Sequence, residues 1–553
     1  MTTCKRRWFV LSLFLLAAFS SALHAQTIAT ISPTSGIVGA SVTVTGTGFS
    51  TMLANNTVYF GGVKATVSSA SATSLTVTVP ASAAYGPIRV TVGGLTAESK
   101  AFFLPTFAGV RGIAAGSFAA KIDSAQGSAA LGVALADLDG DGKPDLASTS
   151  FTESSVLVRR NGSSVGTIGF EARSVAAVGA NPNRLTAADI DGDGKLDLLV
   201  ANGNSNTVSI LRNASTSVGT ISLEAAVGAS VGTGPVGIAV GDIDGDGKLD
   251  VLTTNQDGRS VTVLRNTSTP GTASFDPAVN SSLTLSGNLR PFGIAVGDLD
   301  GDDKPDVVVG YQGGTEIAVL RNTSTAGSIS FAAITSASMG TTPSDVTTGD
   351  VDGDGKLDVV VSNFGSNSVS VLRNISTVGS IGFAIKVDIA VGASPSPVAL
   401  SDIDGDGKPD IVAGNFTSGA GTTVSLLRNA STVGSISFAS KIDLTVGTGP
   451  RAIALADIDG DGKPDLATGN DNTSVSLLRN LGLPVPAITS ISPTSGAPGT
   501  AVTVTGLNFD ATPANNTVYF GGVKAVVTAA STTSLTVTVP ASAAFGPIRV
   551  TVG

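Results

Sequence analysis

The sequence predicts an all-β protein in which a seven-bladed β-propeller with mixed-blade closure lies between two β-sandwiches. An acidic nonapeptide, Asp-x-Asp-Gly-Asp-Gly-x-x-Asp, occurs seven times with one substitution, and successive copies begin 52 to 56 residues apart. A period near 50 residues indicates a repeat architecture. Two stretches, 27–104 and 488–553, match each other at an offset of 460 residues. The repeats therefore form one central unit, and each of the two matching stretches forms a separate unit, one before the repeats and one after them.

The nonapeptide has the chemistry of a cage for a hard cation. In the first copy Asp137, Asp139 and Asp141 occupy alternate positions, so a curled loop can turn three carboxylates inward, and Asp145 closes the ring. Four carboxylates this close repel one another unless a cation lies between them. The backbone carbonyl of Lys143 is placed to add an oxygen ligand, and the glycines permit turns with positive φ. Ligation by oxygen alone, with several carboxylates, favours calcium.

All seven copies offer this ligand set, so the sequence predicts about seven bound calcium ions. For any single copy the alternative is a solvated acidic turn, because Asp and Gly are also common in turns. In the fourth copy Asp303 replaces a glycine, and this site is expected to be the weakest. The candidate ligands, four Asp side chains and one Lys carbonyl per copy, are Asp137, Asp139, Asp141, Lys143, Asp145, Asp189, Asp191, Asp193, Lys195, Asp197, Asp242, Asp244, Asp246, Lys248, Asp250, Asp298, Asp300, Asp302, Lys304, Asp306, Asp350, Asp352, Asp354, Lys356, Asp358, Asp402, Asp404, Asp406, Lys408, Asp410, Asp457, Asp459, Asp461, Lys463 and Asp465.

Residues 1–25 have the pattern of a secretory signal peptide. Three basic residues at 5–7 precede an apolar run over 8–19 and then small residues up to Ala25. This order of basic, apolar and small residues is typical of an export signal. The apolar run is too short to span a bilayer, so no transmembrane segment is predicted. The protein is expected to be secreted or attached to the cell surface.

Removal of the signal would also remove the only Cys, Trp and His, which are Cys4, Trp8 and His24. The mature chain would then have no disulfide, no thiol nucleophile, no Ser-His-Asp triad and no zinc site of the usual kind. We therefore predict no catalytic residue and no organic cofactor. The 42 acidic residues outnumber the 32 basic ones, and an acidic chain is not expected to bind nucleic acid.

The two matching stretches have the pattern of small β-sandwiches, with short runs of alternating Val and Thr between Gly and Pro. Their segments 31–36 (Ile-Ser-Pro-Thr-Ser-Gly) and 58–62 (Val-Tyr-Phe-Gly-Gly) resemble the IPT/TIG family of immunoglobulin-like domains. That resemblance implies an extracellular interaction or spacer module without catalytic residues. The first copy continues through 101–104, whereas the second stops at Gly553. The second is expected to lack its last strand, and the chain to be a fragment of a longer polypeptide.

Each repeat is predicted to contain four strands, a number typical of propeller blades. In the second repeat they are a strand ending at Ala188 and strands at 198–200, 208–211 and 221–223. The loops and their flanks resemble the FG-GAP/VCBS repeats, which also occur in integrin α-subunits, and this resemblance implies a calcium-loop propeller. The predicted limits are signal peptide 1–25, first sandwich 27–104, linker 105–117, propeller 118–480, linker 481–487 and second sandwich 488–553.

The last repeat ends after its third strand, at Asn480, and so lacks a fourth. Residues 118–123 match 438–443, the predicted fourth strand of the preceding repeat. They are therefore predicted to complete the last blade and close the ring, which leaves no unpaired sheet edge. In this arrangement Ala120 is expected to lie beside residues 475–477.

An Arg-Asn pair follows the third strand of the repeats, and in several repeats its Asn is the first residue of a glycosylation sequon. A turn explains the Asn residues without a sugar, and the Arg is expected to cap a strand or pair with a carboxylate. The arginines considered are Arg212, Arg265, Arg321, Arg373, Arg428 and Arg479.

Two functional classes fit these features. The first is a non-catalytic, calcium-binding adhesion or interaction protein whose partner is an unidentified extracellular protein or glycan. The alternative is a carbohydrate-binding or accessory part of an exported polysaccharide-acting enzyme. Against an enzyme, the repeats leave no insertion long enough for a dedicated pocket. The oligomeric state is not predicted.

Overall fold

A computed structural model describes residues 26–107, 112–282, 289–482 and 486–552. The fold is all-β, with 51% of residues in strands and 2% in helices. No helix within the described residues is long and apolar enough to cross a membrane. The predicted signal peptide, residues 1–25, lies outside the described residues. Within these described ranges, four short 3₁₀-helices cover Leu53–Asn55, Ala115–Ser117, Thr417–Gly419 and Pro513–Asn515.

The N-terminal sandwich is one connected set of eight strands in the order β1-β3-β6-β5-β4-β7-β8-β2. Alternate residues of its strands point into a common core, where Phe60 and Phe103 meet edge to face at 4.9 Å between ring centroids. Its strands are β1 (Thr27–Ser32), β2 (Ser35–Ile37), β3 (Ser41–Thr47), β4 (Thr57–Phe60), β5 (Val63–Ala70), β6 (Ser74–Thr78), β7 (Gly86–Val92) and β8 (Leu95–Thr106).

The repeats form seven antiparallel four-stranded sheets, and the first strand of each leads into an acidic loop. Six sheets use consecutive strands, β10–β13 through β30–β33, and the seventh has the order β34-β35-β36-β9. The strands are β9 (Ile122–Ala125), β10 (Val133–Ala136), β11 (Asp145–Ser150), β12 (Ser155–Arg159), β13 (Ser174–Ala177), β14 (Pro182–Ala188), β15 (Asp197–Asn202), β16 (Thr207–Leu211), β17 (Val227–Ser230), β18 (Pro235–Gly241), β19 (Asp250–Asn255), β20 (Ser260–Leu264), β21 (Val279–Ser282), β22 (Arg290–Gly297), β23 (Asp306–Gln312), β24 (Glu316–Leu320), β25 (Thr335–Ser338), β26 (Pro343–Gly349), β27 (Asp358–Asn363), β28 (Ser368–Leu372), β29 (Val387–Ala390), β30 (Pro395–Ser401), β31 (Asp410–Asn415), β32 (Thr423–Leu427), β33 (Ile442–Thr445), β34 (Pro450–Ala456), β35 (Asp465–Asn470) and β36 (Ser474–Leu478).

The fourth strand of the second repeat is β17, Val227–Ser230, so its predicted position at 221–223 is wrong. Residues 221–223 instead belong to the connection after β16, where Leu223 makes a single bridge to Asn213. The alternation of Ile and Leu there resembles a strand, whereas β17 is mostly exposed and carries little hydrophobic signal.

The seventh sheet takes its fourth strand from the N-terminal side of the repeats. Strand β9 pairs with β36, Asp123 lies opposite Ser476, and Ser476 Oγ donates to Asp123 Oδ1 at 2.6 Å. The expected position of Ala120 beside 475–477 is wrong. Phe118 bridges Asn480, and regular pairing with β36 begins only at Ile122, so Ala120 falls in the irregular stretch between the two contacts.

Neighbouring sheets pack through shared hydrophobic clusters. One cluster joins Leu146 of the first repeat to Ile458 and Val475 of the seventh. The residue before each loop is small. In the fourth repeat a Cβ on Gly297 would lie 2.7 Å from Leu357 Cδ1, so the Leu357 side chain would have to move to admit it.

The second sandwich has six strands in the order β37-β38-β41-β40-β39-β42. Counterparts of β2 and β8 are absent from its described residues. The strands are β37 (Ala487–Ser492), β38 (Ala501–Leu507), β39 (Asn516–Phe520), β40 (Val523–Ala530), β41 (Ser534–Thr538) and β42 (Ile548–Val552).

Candidate metal centres

Each acidic loop connects the first two strands of its sheet, and its fourth Asp is the first residue of the second strand. This placement buries the fourth carboxylate: Asp145, Asp250 and Asp465 are 0% exposed. In at least five loops, carboxylate oxygens of three Asp residues lie within 4.8 Å of one another. In the first loop the three are Asp137, Asp139 and Asp145.

Backbone N–H groups fix the orientation of the carboxylates. In the third loop, Asp250 accepts the N–H of Ile243 at 2.9 Å and the N–H of Asn266 at 2.8 Å. Asp242 accepts the N–H of Gly247 at 2.9 Å. Such outer hydrogen bonds hold metal ligands in position before an ion arrives.

An arginine from the end of the third strand ties together the two middle carboxylates of its own loop. Arg265 donates through Nε to Asp244 at 2.5 Å and through Nη2 to Asp246 at 2.6 Å, and its Nη1 binds Asp276. The same pairing with the two middle carboxylates is made by Arg160, Arg212, Arg321, Arg428 and Arg479. The predicted carboxylate pairing is therefore confirmed for Arg212, Arg265, Arg321, Arg428 and Arg479. Arg160 was not among the arginines considered in the sequence, and it pairs in the same way.

Arg373 departs from this pattern. Within the described part of the chain it forms no ion pair. Asp352 of the same loop still accepts the N–H of Gly434, at 2.8 Å.

The Asn after each of these arginines joins one repeat to the preceding one. Asn266 is 1% exposed, and its Nδ2 donates to Ile190 O of the preceding repeat and to Leu249 O of its own, both at 2.8 Å. The first repeat makes the same contact to the seventh, because Asn161 Nδ2 donates to Ile458 O at 2.9 Å. A buried amide engaged in this way cannot carry a glycan, which agrees with the sugar-free interpretation.

Turn glycines add a second link between repeats. Gly271 of the third repeat donates its N–H to Asp191 of the second loop, at 3.1 Å. Gly327 and Gly166 make the equivalent contact to Asp244 and Asp459. These loops are therefore completed by residues of two repeats.

Burial makes the ion-free carboxylates unfavourable in their charged form. Desolvation, reinforced by neighbouring Asp residues, raises the pKa of Asp250 and of Asp465 to about 8 and the pKa of Asp137 to about 6. One buried oxygen, Oδ1, of both Asp137 and Asp189 has no hydrogen-bond partner. A divalent cation would satisfy these oxygens and neutralise the charge, so the residues fit an oxygen-liganded ion.

The loop lysines use their side chains away from the carboxylates in several repeats. Lys143 and Lys356 donate through Nζ to Ser163 O and Ser376 O, both at 2.7 Å. Their side chains thus anchor the loop to the turn after the third strand. The ligand role of the lysine carbonyl stays a prediction.

The N-terminal sandwich packs directly on the acidic loops, a contact that sequence reasoning did not predict. The Tyr59 hydroxyl donates to Gly194 O of the second loop at 2.8 Å. Gly62 O accepts the N–H of Asp137, the first residue of the first loop, at 2.9 Å. Tyr59 is 4% exposed and lies in a cluster with residues of the first two repeats.

The irregular fourth loop takes part in the same interface. Asp303 has φ of 73°, in the region its glycine counterparts occupy, at a cost of about 1 kcal/mol for a residue with a Cβ. Its side chain forms an ion pair with Lys100 of the sandwich. In the fifth loop, the N–H of Asp350 donates to the Tyr85 hydroxyl at 3.0 Å. The substitution at 303 therefore supplies an interdomain contact.

Comparison with known proteins finds two family profiles. A profile described as FG-GAP-like repeat matches residues 137–200, 189–253, 246–309, 301–361, 350–413 and 402–468. A profile described as IPT/TIG domain matches residues 27–105 and 486–553. No curated protein matches the chain significantly.

Solved structures resemble the chain at low identity. An auxiliary nutrient binding protein from Bacteroides thetaiotaomicron has 12% identity and a TM-score of 0.34, with coverage of 82% of this chain and 98% of that one. A protein of the same description from Bacteroides ovatus has 13% identity and a TM-score of 0.35, with coverage of 82% and 97%. BBS1N in complex with ARL6DN has 12% identity and a TM-score of 0.42, with coverage of 67% and 97%.

Proposed function

Because the chain belongs to the FG-GAP-like repeat family and carries an IPT/TIG domain on either side of its repeats, we propose that it is a non-catalytic extracellular adhesion or interaction protein braced by calcium. In this proposal the seven sheets are the blades of a propeller closed by a mixed blade. The pairing of β9 with β36 supports that closure, as does the contact of Asn161 with the seventh repeat. The domain limits remain those predicted from the sequence.

The observation that carries the proposal is the buried, pre-oriented carboxylate set of each loop. The four Asp side chains and the lysine carbonyl would hold the ion, with the arginine and the backbone N–H groups keeping the carboxylates in place. Bound calcium supplies the positive charge that these desolvated groups need. It would thereby fix the connection between the first two strands of each sheet and, through the shared contacts, the neighbouring repeat.

An extracellular location is supported by the signal-like residues 1–25 and by oxygen-only metal sites of the type that suits calcium. A non-catalytic role is supported by the commitment of the clustered acids to the loops. No feature of the described residues favours the polysaccharide-acting alternative over adhesion.

Metal analysis tests the calcium sites. After dialysis against micromolar calcium, we expect about seven ions per chain, one for each loop. Asp250→Asn should remove about one ion, because it weakens a fully buried ligand. The matched control is Asp257→Asn, an acid with 58% exposure that pairs with Arg290, and it should leave the count unchanged. Fewer than three ions in the unmodified chain would contradict the proposal.

Ligand screening tests the adhesion role. The protein would be presented to arrays of glycans and of matrix proteins, with calcium and after its removal by a chelator. We expect calcium-dependent binding to at least one member, because ion loss loosens the loops and the repeats they join. Turnover of a polysaccharide with no stable binding would favour the enzymatic alternative.

A further inference from the structure

The first sandwich brings a positive charge to the fourth acidic loop. Lys100 forms an ion pair with Asp303, and its Nζ lies 3.9 Å from Oδ2 of Asp298, the first predicted ligand of that loop. Among the described residues, Asp298 is the one first-position Asp of the seven loops that has a cationic side chain within 4 Å. Lys100 therefore offers this loop a charge of the sign that a bound cation would supply.

The sandwich meets the neighbouring loops through uncharged groups. The N–H of Thr96 donates to Gly247 O of the third loop at 2.6 Å, and the tyrosine contacts described above use hydroxyls. Glu98 lines a cavity of about 620 Å³ between the sandwich and the third and fourth loops, but it pairs with Arg89 at 2.6 Å, which compensates its charge. The charged contact is therefore the one that Lys100 makes with the fourth loop.

Cationic partners lie against four of the five carboxylates of the fourth loop. Arg321 binds the two middle ones at 2.5 and 2.6 Å, as its counterparts do in other repeats. Lys100 takes Asp298 and the extra acid Asp303, and Asp306 accepts two backbone N–H groups. Like charges at such short range repel even in water. Lys100 therefore opposes a cation in this loop and would have to leave Asp298 to admit one.

We propose that Lys100 competes with calcium for the fourth loop, so that filling of this loop and docking of the first sandwich oppose each other. The inference rests on the calcium sites of the proposed function. It gives the fourth loop a separate role: the other six brace the repeats, whereas this one adjusts the hold of the first sandwich to the calcium concentration. The coupling is reciprocal, so the sandwich lowers the calcium affinity of the loop by the same factor by which filling of the loop weakens the sandwich contact.

Hydrogen exchange during a calcium titration of the full-length chain tests the competition loop by loop. The calcium concentration at which residues 298–306 become protected reports filling of the fourth loop, and residues 402–410 of the sixth loop are the internal reference. Lys100→Met removes the charge of a side chain that is 42% exposed. It should lower the midpoint for 298–306 about tenfold, within the usual range of such couplings, and leave the midpoint for 402–410 unchanged.

Two control variants separate the charge from the substitution itself. Lys100→Arg keeps the positive charge and should keep the midpoint of the unmodified chain. Lys524→Ala removes an exposed lysine from the second sandwich and should also leave the fourth loop unchanged. A shift of equal size with either control overturns the inference, because the effect would then not come from the charge at position 100.

The reverse effect is measured at the sandwich. In the unmodified chain, exchange of the Thr96 N–H should rise as calcium passes the midpoint of the fourth loop, and in Lys100→Met this rise should disappear. A fourth-loop midpoint that Lys100→Met leaves unchanged overturns the inference while the other loops still respond to calcium, because the backbone at Asp303 would then set the affinity. Absence of protection by calcium in every loop refutes the proposed calcium sites, and the inference with them.

Discussion

The substitution Asn266→Ala should destabilise two repeats although it changes one residue. The side chain of Asn266 donates to Ile190 O and Leu249 O, and its Oδ1 accepts the N–H of Ser268, each at 2.8 Å. All three hydrogen bonds are lost in the variant, and the two carbonyls and the N–H that made them remain buried. At about 0.5–1.5 kcal/mol per bond, plus the cost of buried unpaired groups, the expected loss is about 2–4 kcal/mol.

Hydrogen exchange followed by mass spectrometry can measure this loss repeat by repeat. A destabilisation of about 2 kcal/mol raises the equilibrium constant for local opening roughly thirtyfold, and the exchange rate rises by the same factor. We expect faster exchange both in residues 189–197 of the second repeat and in residues 250–266 of the third, at saturating calcium. Asn204→Ala, at an exposed position of the second repeat, is the control and should change little. Faster exchange confined to the third repeat would refute the role of Asn266 as a link between repeats.

Three further predictions concern a ligand, the seventh sheet and pH. Asp246→Ala should speed exchange within 236–264 and, because its loop also holds Gly327, in the turn of the fourth repeat; uniform exchange in all repeats would contradict local sites. Cysteines replacing Asp123 and Ser476 should form a disulfide on oxidation, whereas Asp123→Cys with Leu477→Cys, which faces the other side of the sheet, should not. A raised carboxyl pKa, as for Asp250, means that the ion-free folded state binds more protons than the unfolded state from about pH 4 to pH 8, so its stability falls as pH rises. The melting temperature of ion-free protein should therefore be higher at pH 5 than at pH 8, and the reverse order in calorimetry would disprove this.

The acidic loops and the pairing of their carboxylates with arginines such as Arg265 were predictable from the sequence, because these contacts lie within one repeat and recur at fixed spacing. The position of the fourth strand was not, because β17 carries little hydrophobic signal. The completion of the seventh sheet by a strand from the N-terminal side followed from the match of residues 118–123 to 438–443. Their register did not, because the irregular stretch after Phe118 has no signature in side-chain alternation.

Contacts between units were not predictable. The sequon Asn residues are typical of turns, and nothing near Asn266 in sequence shows that its partner is Ile190, 76 residues away. The same holds for the sandwich and the loops. Lys100 and Asp303 each fit a solvated surface, and only the fold brings them together.

The pairing of β9 with β36 also determines how the molecule carries tension. Suppose that the two sandwiches are pulled apart and that the first has detached from the loops. The force then acts on the seventh sheet at Phe118 and at Asn480, two residues that are bridged to each other. Force applied at the same end of two antiparallel strands loads their hydrogen bonds one at a time, so the bonds break in sequence rather than together. The pairing of β9 with β36 would therefore open at lower force than the same pairing pulled from opposite ends.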